Sequence, residues 1–391
     1  MKVLLHSNAP WSPSGYGQQV ALFAPRLAGR VELSLSAFHG LQGGRLRWHD
    51  IDVLPSVGGT YGDESILGHA ESVFGALRGG LVLTLLDVPA LDPQLWRALD
   101  VACWLPVDHD PAPPSVGAFL AQTAAIPIAM SRFGQDRLAG FDPLYVPHGI
   151  DTTLFHAREG ARERVGLPAS AFVVGAVAMN KGVPSRKSLP QIVEAFAAFR
   201  ARHGEALLYL HTEVTGHYNE GYDLRPLLAA FGLGEDAVVL ADQYHYRFDP
   251  LPAEHLVDLY SSFDVLLNPA MGEGFGLPIL EAQACGVPAI VTDFTAMSEV
   301  CGAGWKVGYD RVRTPMRSWQ AWPKVDELVD SLEACYALPE ADRRALGARA
   351  REHALHYDVD TVFERDWLPA LDAIEQRIAD RAPIRIPARA A

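Results

Sequence analysis

The chain has 391 residues, 49% apolar and 20% charged, with a formal net charge of −14. That length exceeds one compact core and suits two domains of near-equal size, in a composition typical of water-soluble globular proteins. The acidic balance excludes a surface built mainly to grip nucleic acid, although a local basic groove stays compatible with it.

The opening residues, MKVLLHSNAP, carry one lysine and soon turn polar, so they read as a first strand and not as a signal peptide. No apolar run approaches the ~20 residues of a membrane span, which leaves only peripheral contact with a membrane. Cys103, Cys285, Cys301 and Cys335 are scattered without a C-x-x-C pair. They predict neither a disulfide framework nor a zinc site, and point to a reducing, cytoplasmic location.

Short apolar runs alternate with amphipathic stretches throughout, the pattern of an α/β fold with parallel sheets. In the first half, strands are predicted at 2–7, 31–38, 80–86, 101–106, 125–130 and 144–147. Helices are predicted at 17–28, 66–78, 92–99, 114–122 and 132–138. The first strand-to-helix loop holds Ser14, Gly15, Tyr16 and Gly17, and its amides can face a phosphate. It lacks a full G-x-G-x-x-G, so it is not a dinucleotide fingerprint.

Asp108, His109 and Asp110 follow strand 101–106, at a carboxyl end where open α/β sheets place ligands. An Asp-x-Asp triplet can hold a divalent metal on a sugar nucleotide; acids that bond turn amides are the competing reading. Asn8, Ser131 and Arg132 also fall at strand ends.

Residues 146–168, VPHGIDTTLFHAREGARERVGLP, are irregular and read as a crossing between domains, with His148 structural. The alternation then restarts, with strands at 171–178, 206–212, 237–241, 264–268 and 288–292. The accompanying helices are at 188–203, 222–231, 253–262 and 277–285. Lys181, Arg186 and Lys187 lie on a strand-to-helix loop, where cations can neutralise a diphosphate leaving group when no metal does so. Tyr244, His245 and Tyr246 can flank a nucleobase. His211, Glu213, His217 and Tyr218 show no metal spacing, and Asp264 reads as structural.

The most informative stretch is 268–293, NPAMGEGFGLPILEAQACGVPAIVTD: strand, glycine loop, helix. Gly274 and Gly276 allow close approach of a ligand to the backbone, and Pro278 suits the first helical position. The amides of Phe275 to Ile279, Leu277 among them, then point out of a helix N-terminus and form an anion cradle. Glu273 and Glu281, eight apart, flank it. A cradle for phosphate alone would avoid acids. Two acids fit a phosphate with hydroxylated groups on both sides, one accepting from a sugar and the other from a ribose diol. Residues 324–381 are mostly helical, and the tail with Arg377, Arg381, Arg385 and Arg389 reads as a solvated terminus.

Two glutamates around GFGLP, followed by EAQACGVP, resemble the acidic signature of retaining nucleotide-sugar glycosyltransferases of family 4, the glycosyl transferases group 1. The resemblance extends over nearly the whole chain. It is strongest over 264–300 and clear at 144–155, where HGID matches the domain connector, and at 171–196. It implies the GT-B architecture: two Rossmann-like domains facing a central cleft, with a C-terminal helix recrossing to the first. The implied domains are 1–160 on the acceptor side, 161–358 for the nucleotide sugar, and 359–391 as the returning helix and tail.

The resemblance also assigns roles. His109, Glu273 and Lys187 become catalytic. Gly15, Gly17, Lys181, Arg186, Lys187, Gly274, Phe275, Gly276, Leu277 and Glu281 become nucleotide-sugar-binding. Glu273 would orient the sugar and Glu281 would fix the ribose. Arg186–Lys187 matches the family's basic pair, and His109 matches its cleft histidine, whose backbone carbonyl can stabilise developing positive charge. Two departures stand out: Tyr16 separates glycines that are adjacent in many relatives, and Lys181 replaces a frequent arginine and so loses its bidentate fork.

The implied reaction moves a sugar from a nucleoside diphosphate to an acceptor hydroxyl with retention, by a front-side mechanism needing no metal or cofactor. A nucleotide-sugar epimerase and a non-catalytic nucleotide-sugar binding protein are the alternatives; a glycosidase would have no use for a phosphate cradle. The acceptor stays open among lipid, polysaccharide, small metabolite, protein and modified DNA.

Overall fold

The computed structural model describes residues 1–249 and 251–381; Arg385 and Arg389 lie outside them. Strands such as Leu81–Leu85 and Asp100–Leu105 are buried along their whole length, as parallel strands covered by helices on both faces must be.

The first sheet contains β1 (Lys2–Asn8), β2 (Glu32–Gln42), β3 (Leu46–Trp48), β4 (Ile51–Ser56), β5 (Leu81–Leu85), β6 (Asp100–Leu105), β7 (Ile126–Ala129) and β8 (Leu144–Tyr145). Their order is β3-β4-β2-β1-β5-β6-β7-β8, and only β3 runs antiparallel to its neighbour. The second contains β9 (Val173–Val177), β10 (Leu207–His211), β11 (Val238–Leu240), β12 (Val265–Asn268), β13 (Ala289–Thr292) and β14 (Gly304–Val307). It is wholly parallel, in the order β11-β10-β9-β12-β13-β14.

Each sheet therefore grows one way from its first strand and then reverses, between β1 and β5 and between β9 and β12. Such reversals splay the loops at the carboxyl ends apart and open a ligand crevice. Both sheets have the Rossmann-like order expected.

Five strands among the described residues were not predicted from sequence: β3, with only three residues, β4, β14, and the hairpin β15 (Tyr309–Arg313) and β16 (Trp319–Pro323). The hairpin is half-exposed, so its side chains carry little hydrophobic pattern. It is stitched to the first domain, where Asp110 N donates to Trp319 O (3.0 Å) and Trp319 N to Asp110 O (3.1 Å).

Helices Val325–Tyr336 and Glu340–Leu355 follow, and the chain is then helical from Val359 to Ala379. This last stretch lies on the first domain, as the recrossing helix was expected to. Fully buried Trp367 packs edge-on to Trp104 (4.9 Å between centroids) and beside Phe23 (6.0 Å). Arg26 pairs with Asp360 (2.6 Å), and Arg381 with Asp100 (3.0 Å).

The crossing segment is held by Gln19, whose amide donates to Gly149 O (2.8 Å) and accepts from Gly149 N (3.0 Å). Asp264 is structural: it bonds Arg162 (2.6 Å), Arg343 (3.2 Å) and the Val173 amide (2.7 Å). All four cysteines are buried and unbridged, with thiols pushed up to about 12 by burial.

Buried histidines make the fold acid-sensitive. Burial lowers His148 to about 3; burial also lowers His6 to about 4, against the opposing bond to Tyr61 O. Below pH 6.5 the unfolded chain protonates these rings and the native chain does not, so stability is lost as pH falls from about 6.5 toward those values. Each ring contributes up to about 1.4 kcal/mol per pH unit. Thermal melts between pH 7.5 and 5 should show a falling Tm, less steep in His6→Gln; a flat profile would contradict this account.

Candidate active site

At the second sheet's switch point, the loops after β9 and β12 are tied together by a bond from Met271 N to Arg186 O (2.8 Å). This places Arg186 and Lys187, just ahead of the helix Leu189–Arg200, beside Glu273. The Lys187 ammonium pairs with Glu273 Oε1. Arg186 Nη1 donates to Gly272 O (2.7 Å) and lies 3.5 Å from Glu273 Oε2.

The loop after β6 brings Asp108 and His109 from the other domain. Asp108 Oδ2 is 3.4 Å from Arg186 Nη1, and Asp108 Oδ1 is 2.6 Å from His109 Nδ1. Lys187, Glu273, Arg186 and Asp108 thus alternate in charge across the cleft.

Desolvation pushes the Asp108 carboxyl up, but the bond from His109 and the Arg186 charge outweigh it and hold it below the usual range. An ionised Asp108 only accepts, so the shared proton sits on His109 Nδ1 and Nε2 keeps its lone pair when the ring is neutral. Burial holds the Lys187 ammonium below its ordinary value, with Glu273 offsetting part of the effect. Arg186 is held up in spite of burial by Glu273, Asp108 and Asp87.

Asp87 was missed in sequence because a single acid after an apolar strand carries little signal. It stands at the end of β5, the first sheet's switch point, and accepts from Tyr16 OH (3.0 Å). Its carboxyl is solvent-accessible, yet it lies far enough into the cleft that desolvation, then the Asp108 carboxylate, push it above the usual range.

Gly276, with φ 106°, precedes the helix Leu277–Ala284, so Pro278 is its second residue and not its first. The two glycine loops meet across the cleft, since a Cβ on Gly15 would lie 3.4 Å from Leu277. A Cβ on Gly17 would instead lie 2.4 Å from Ser12 O, inside its own loop. Of the pair around Tyr16, Gly15 therefore faces the opposite domain and Gly17 serves local packing.

The close approach at Gly274 is to Pro106 of the first domain, 2.3 Å from where a Cβ would stand, not to open ligand space. The Phe275 ring is buried beside His148 (5.1 Å) and Tyr357 (5.7 Å). We expect Gly274→Ala to push the domains apart at a cost of roughly 1–3 kcal/mol, slowing turnover about tenfold with nucleotide affinity retained. Calorimetry beside steady-state kinetics would show it, and unchanged turnover would contradict it.

Glu281 is buried, and burial pushes its carboxyl up against the stabilising bonds from Gln18 and Tyr260. Gln18 Nε2 donates to Oε1 across the cleft (2.8 Å), and Tyr260 OH donates to Oε2 (2.7 Å). Both oxygens are thus accepting from neutral donors.

Lys181 is exposed and forms no ion pair among the described residues. The Asp-x-Asp acids do not converge: Asp110 pairs with Arg137 (2.8 Å) and Arg311 (3.6 Å), while Asp108 faces Arg186 and His109. Asn8 donates to Ser14 (2.6 Å), Ser131 caps the helix Arg132–Arg137, and Arg132 stacks on Tyr145 (3.5 Å). Tyr246 packs against His211 (5.3 Å), and Tyr244 is exposed.

Residues 172–317 match the family described as Glycosyl transferases group 1. The chain is similar to the D-inositol 3-phosphate glycosyltransferase of Arthrobacter sp. (strain FB24), with 32% identity over 55% of this chain and 47% of that protein. It spans about half the length of most curated relatives it matches.

In fold it matches sucrose-phosphate synthase from Thermosynechococcus elongatus, with a TM-score of 0.73 over 97% of this chain and 100% of that one, at 16% identity. Anabaena HepE, solved in complex with UDP-glucose, matches with a TM-score of 0.67 over 95% and 100%, also at 16% identity. These likenesses give the fold, which is GT-B.

Proposed function

From the match of residues 172–317 to the glycosyl transferases group 1 family, we propose that this chain is a member of it and transfers a sugar from a nucleoside diphosphate to an acceptor hydroxyl with retention. The observation that carries the reading is the convergence of Lys187 and Arg186 on Glu273 at a switch-point crevice, facing Asp108–His109 of the other domain. A sugar diphosphate offers what this set can use: phosphates for the two cations and the helix N-terminus, hydroxyls for the acids.

In this reading the bond from the anomeric carbon to the diphosphate breaks as the acceptor oxygen bonds to the same face. The acceptor's proton passes to the departing diphosphate. Lys187 and Arg186 stabilise the charge that grows on the leaving oxygens, and Lys181 adds to it from the loop edge. Glu273 and His109 hold the sugar. The ribose diol takes the place of Gln18 on Glu281. Side-chain cations suffice for the leaving group, so no metal enters the scheme.

A nucleoside diphosphate sugar should raise Tm by binding only the native state, and free nucleoside diphosphate should do so in part. Sugar release or transfer should survive EDTA. If no UDP-, GDP-, ADP- or dTDP-sugar at millimolar concentration moves the transition, the donor assignment fails. Loss of activity in EDTA, restored by magnesium or manganese, would overturn the metal-free scheme.

A further inference from the structure

The walls of the cleft differ in charge. The cations the cleft presents among the described residues, Lys181, Arg186 and Lys187, all come from the second domain, Arg186 and Lys187 beside Glu273. On the first domain, the loops after β1, β4, β5 and β6 (residues 9–16, 57–62, 86–91 and 106–110) contain no lysine or arginine. Nearby arginines are engaged: Arg45, after β2, pairs with Asp52, Arg137 with Asp110 (2.8 Å), and Arg132 lies on Tyr145 (3.5 Å).

What the first domain does offer is carboxylate. Asp108 is held by His109 and Arg186, which leaves solvent-accessible Asp87, steadied by Tyr16 OH at 3.0 Å. Two aromatic rings stand exposed on the same set of loops. Trp11 is 42% exposed with its indole N–H fixed on Gly40 O (2.7 Å). Tyr61 is 42% exposed and packs against Phe38 (5.8 Å).

Resting on the glycosyltransferase reading above, we infer that the acceptor is an uncharged saccharide or polyol, one hydroxyl of which donates to Asp87. A carboxylate accepts from hydroxyls, and an aromatic face suits the apolar C–H side of a sugar ring. A phosphorylated acceptor would meet like charge on this wall, whose own loops add no lysine or arginine to compensate, an arrangement that rejects partners. The chain would then differ in acceptor class from its relatives named for D-inositol 3-phosphate.

The test offers glucose, maltose and myo-inositol beside glucose 6-phosphate and inositol 3-phosphate, with a donor the enzyme is found to hydrolyse and mass spectrometry of the products. The uncharged set should be preferred about tenfold or more in kcat/KM. Asp87→Asn should raise the KM of the best acceptor about tenfold, as for loss of one charge-assisted bond, with calorimetric affinity for nucleoside diphosphate unchanged and Asp87→Glu restoring part of the loss. Asp87→Arg should move preference toward the phosphorylated members.

Preference of the native enzyme for a phosphorylated member would overturn the inference. So would transfer to no uncharged member while donor hydrolysis proceeds, or an unmoved KM in Asp87→Asn. Failure to bind any nucleoside diphosphate would instead sink the glycosyltransferase reading, so the two failures are distinguishable.

Discussion

Lys187→Ala should lower turnover about 10²–10³-fold, the usual cost of removing a preorganised group that meets charge developing in a transition state. Lys187 is the better buried of the two cations beside Glu273, with 18% of its side chain exposed against 42% for Arg186. A charge in a dry site acts through a low dielectric, so its loss is not made good by water. The alanine variant should stay folded, since the ammonium holds no element in place and its partner Glu273 keeps Arg186 at 3.5 Å and the bond from its own amide to Thr295. Single-turnover kinetics with the intact donor would measure the effect. A loss below about tenfold would mean that Arg186 or another group carries the leaving-group charge.

The second large effect is expected at Glu273, and it has an unusual sign. With no donor bound, the Glu273 carboxylate neutralises Lys187 and lies near Arg186, so an arriving diphosphate must compete with it. Glu273→Gln removes the competitor. Free nucleoside diphosphate should bind about tenfold more tightly, roughly the worth of one charge-assisted pair. Turnover should nevertheless fall about 10²-fold, because the sugar's hydroxyls lose their acceptor and near-attack geometry is spoiled.

Glu281→Gln should behave differently. Its oxygens accept from Gln18 and Tyr260, and an amide there keeps only one acceptor oxygen and no charge for a ribose diol to donate to, so nucleotide affinity and Tm should fall together. Calorimetry on both variants beside kinetics makes the comparison. Equal loss of nucleotide affinity in both would refute the division of labour.

Much of this was readable before any coordinates. The GEGFGLP loop announces itself because a glycine-rich turn into a helix between two acids is a dense local pattern, and the alternation of apolar runs gives two parallel sheets. What stayed hidden depends on contact between distant segments. Gly274 reads as room for a ligand, yet its missing Cβ makes room for Pro106. The bond from Gln18 to Glu281 joins two helices that no local pattern relates. Asp87 acquires meaning only where β5 stands at a reversal of strand order, and Asp110 only once an unforeseen hairpin supplies Trp319 and Arg311. Helix boundaries shifted by a few residues, as they do where capping and not hydrophobic period decides the end.

The returning helix also constrains how the molecule is made. Trp367 fills a seat between Phe23 and Trp104, and Ala370, Leu371 and Ile374 join the same apolar cluster. On the ribosome the first domain emerges long before these residues exist. It must therefore wait with an open apolar groove while the second domain is synthesised and folds, a state exposed to aggregation and to chaperone capture. A chain that stopped after residue 358 would leave this seat unfilled, so the first domain is completed only in chains translated past the second.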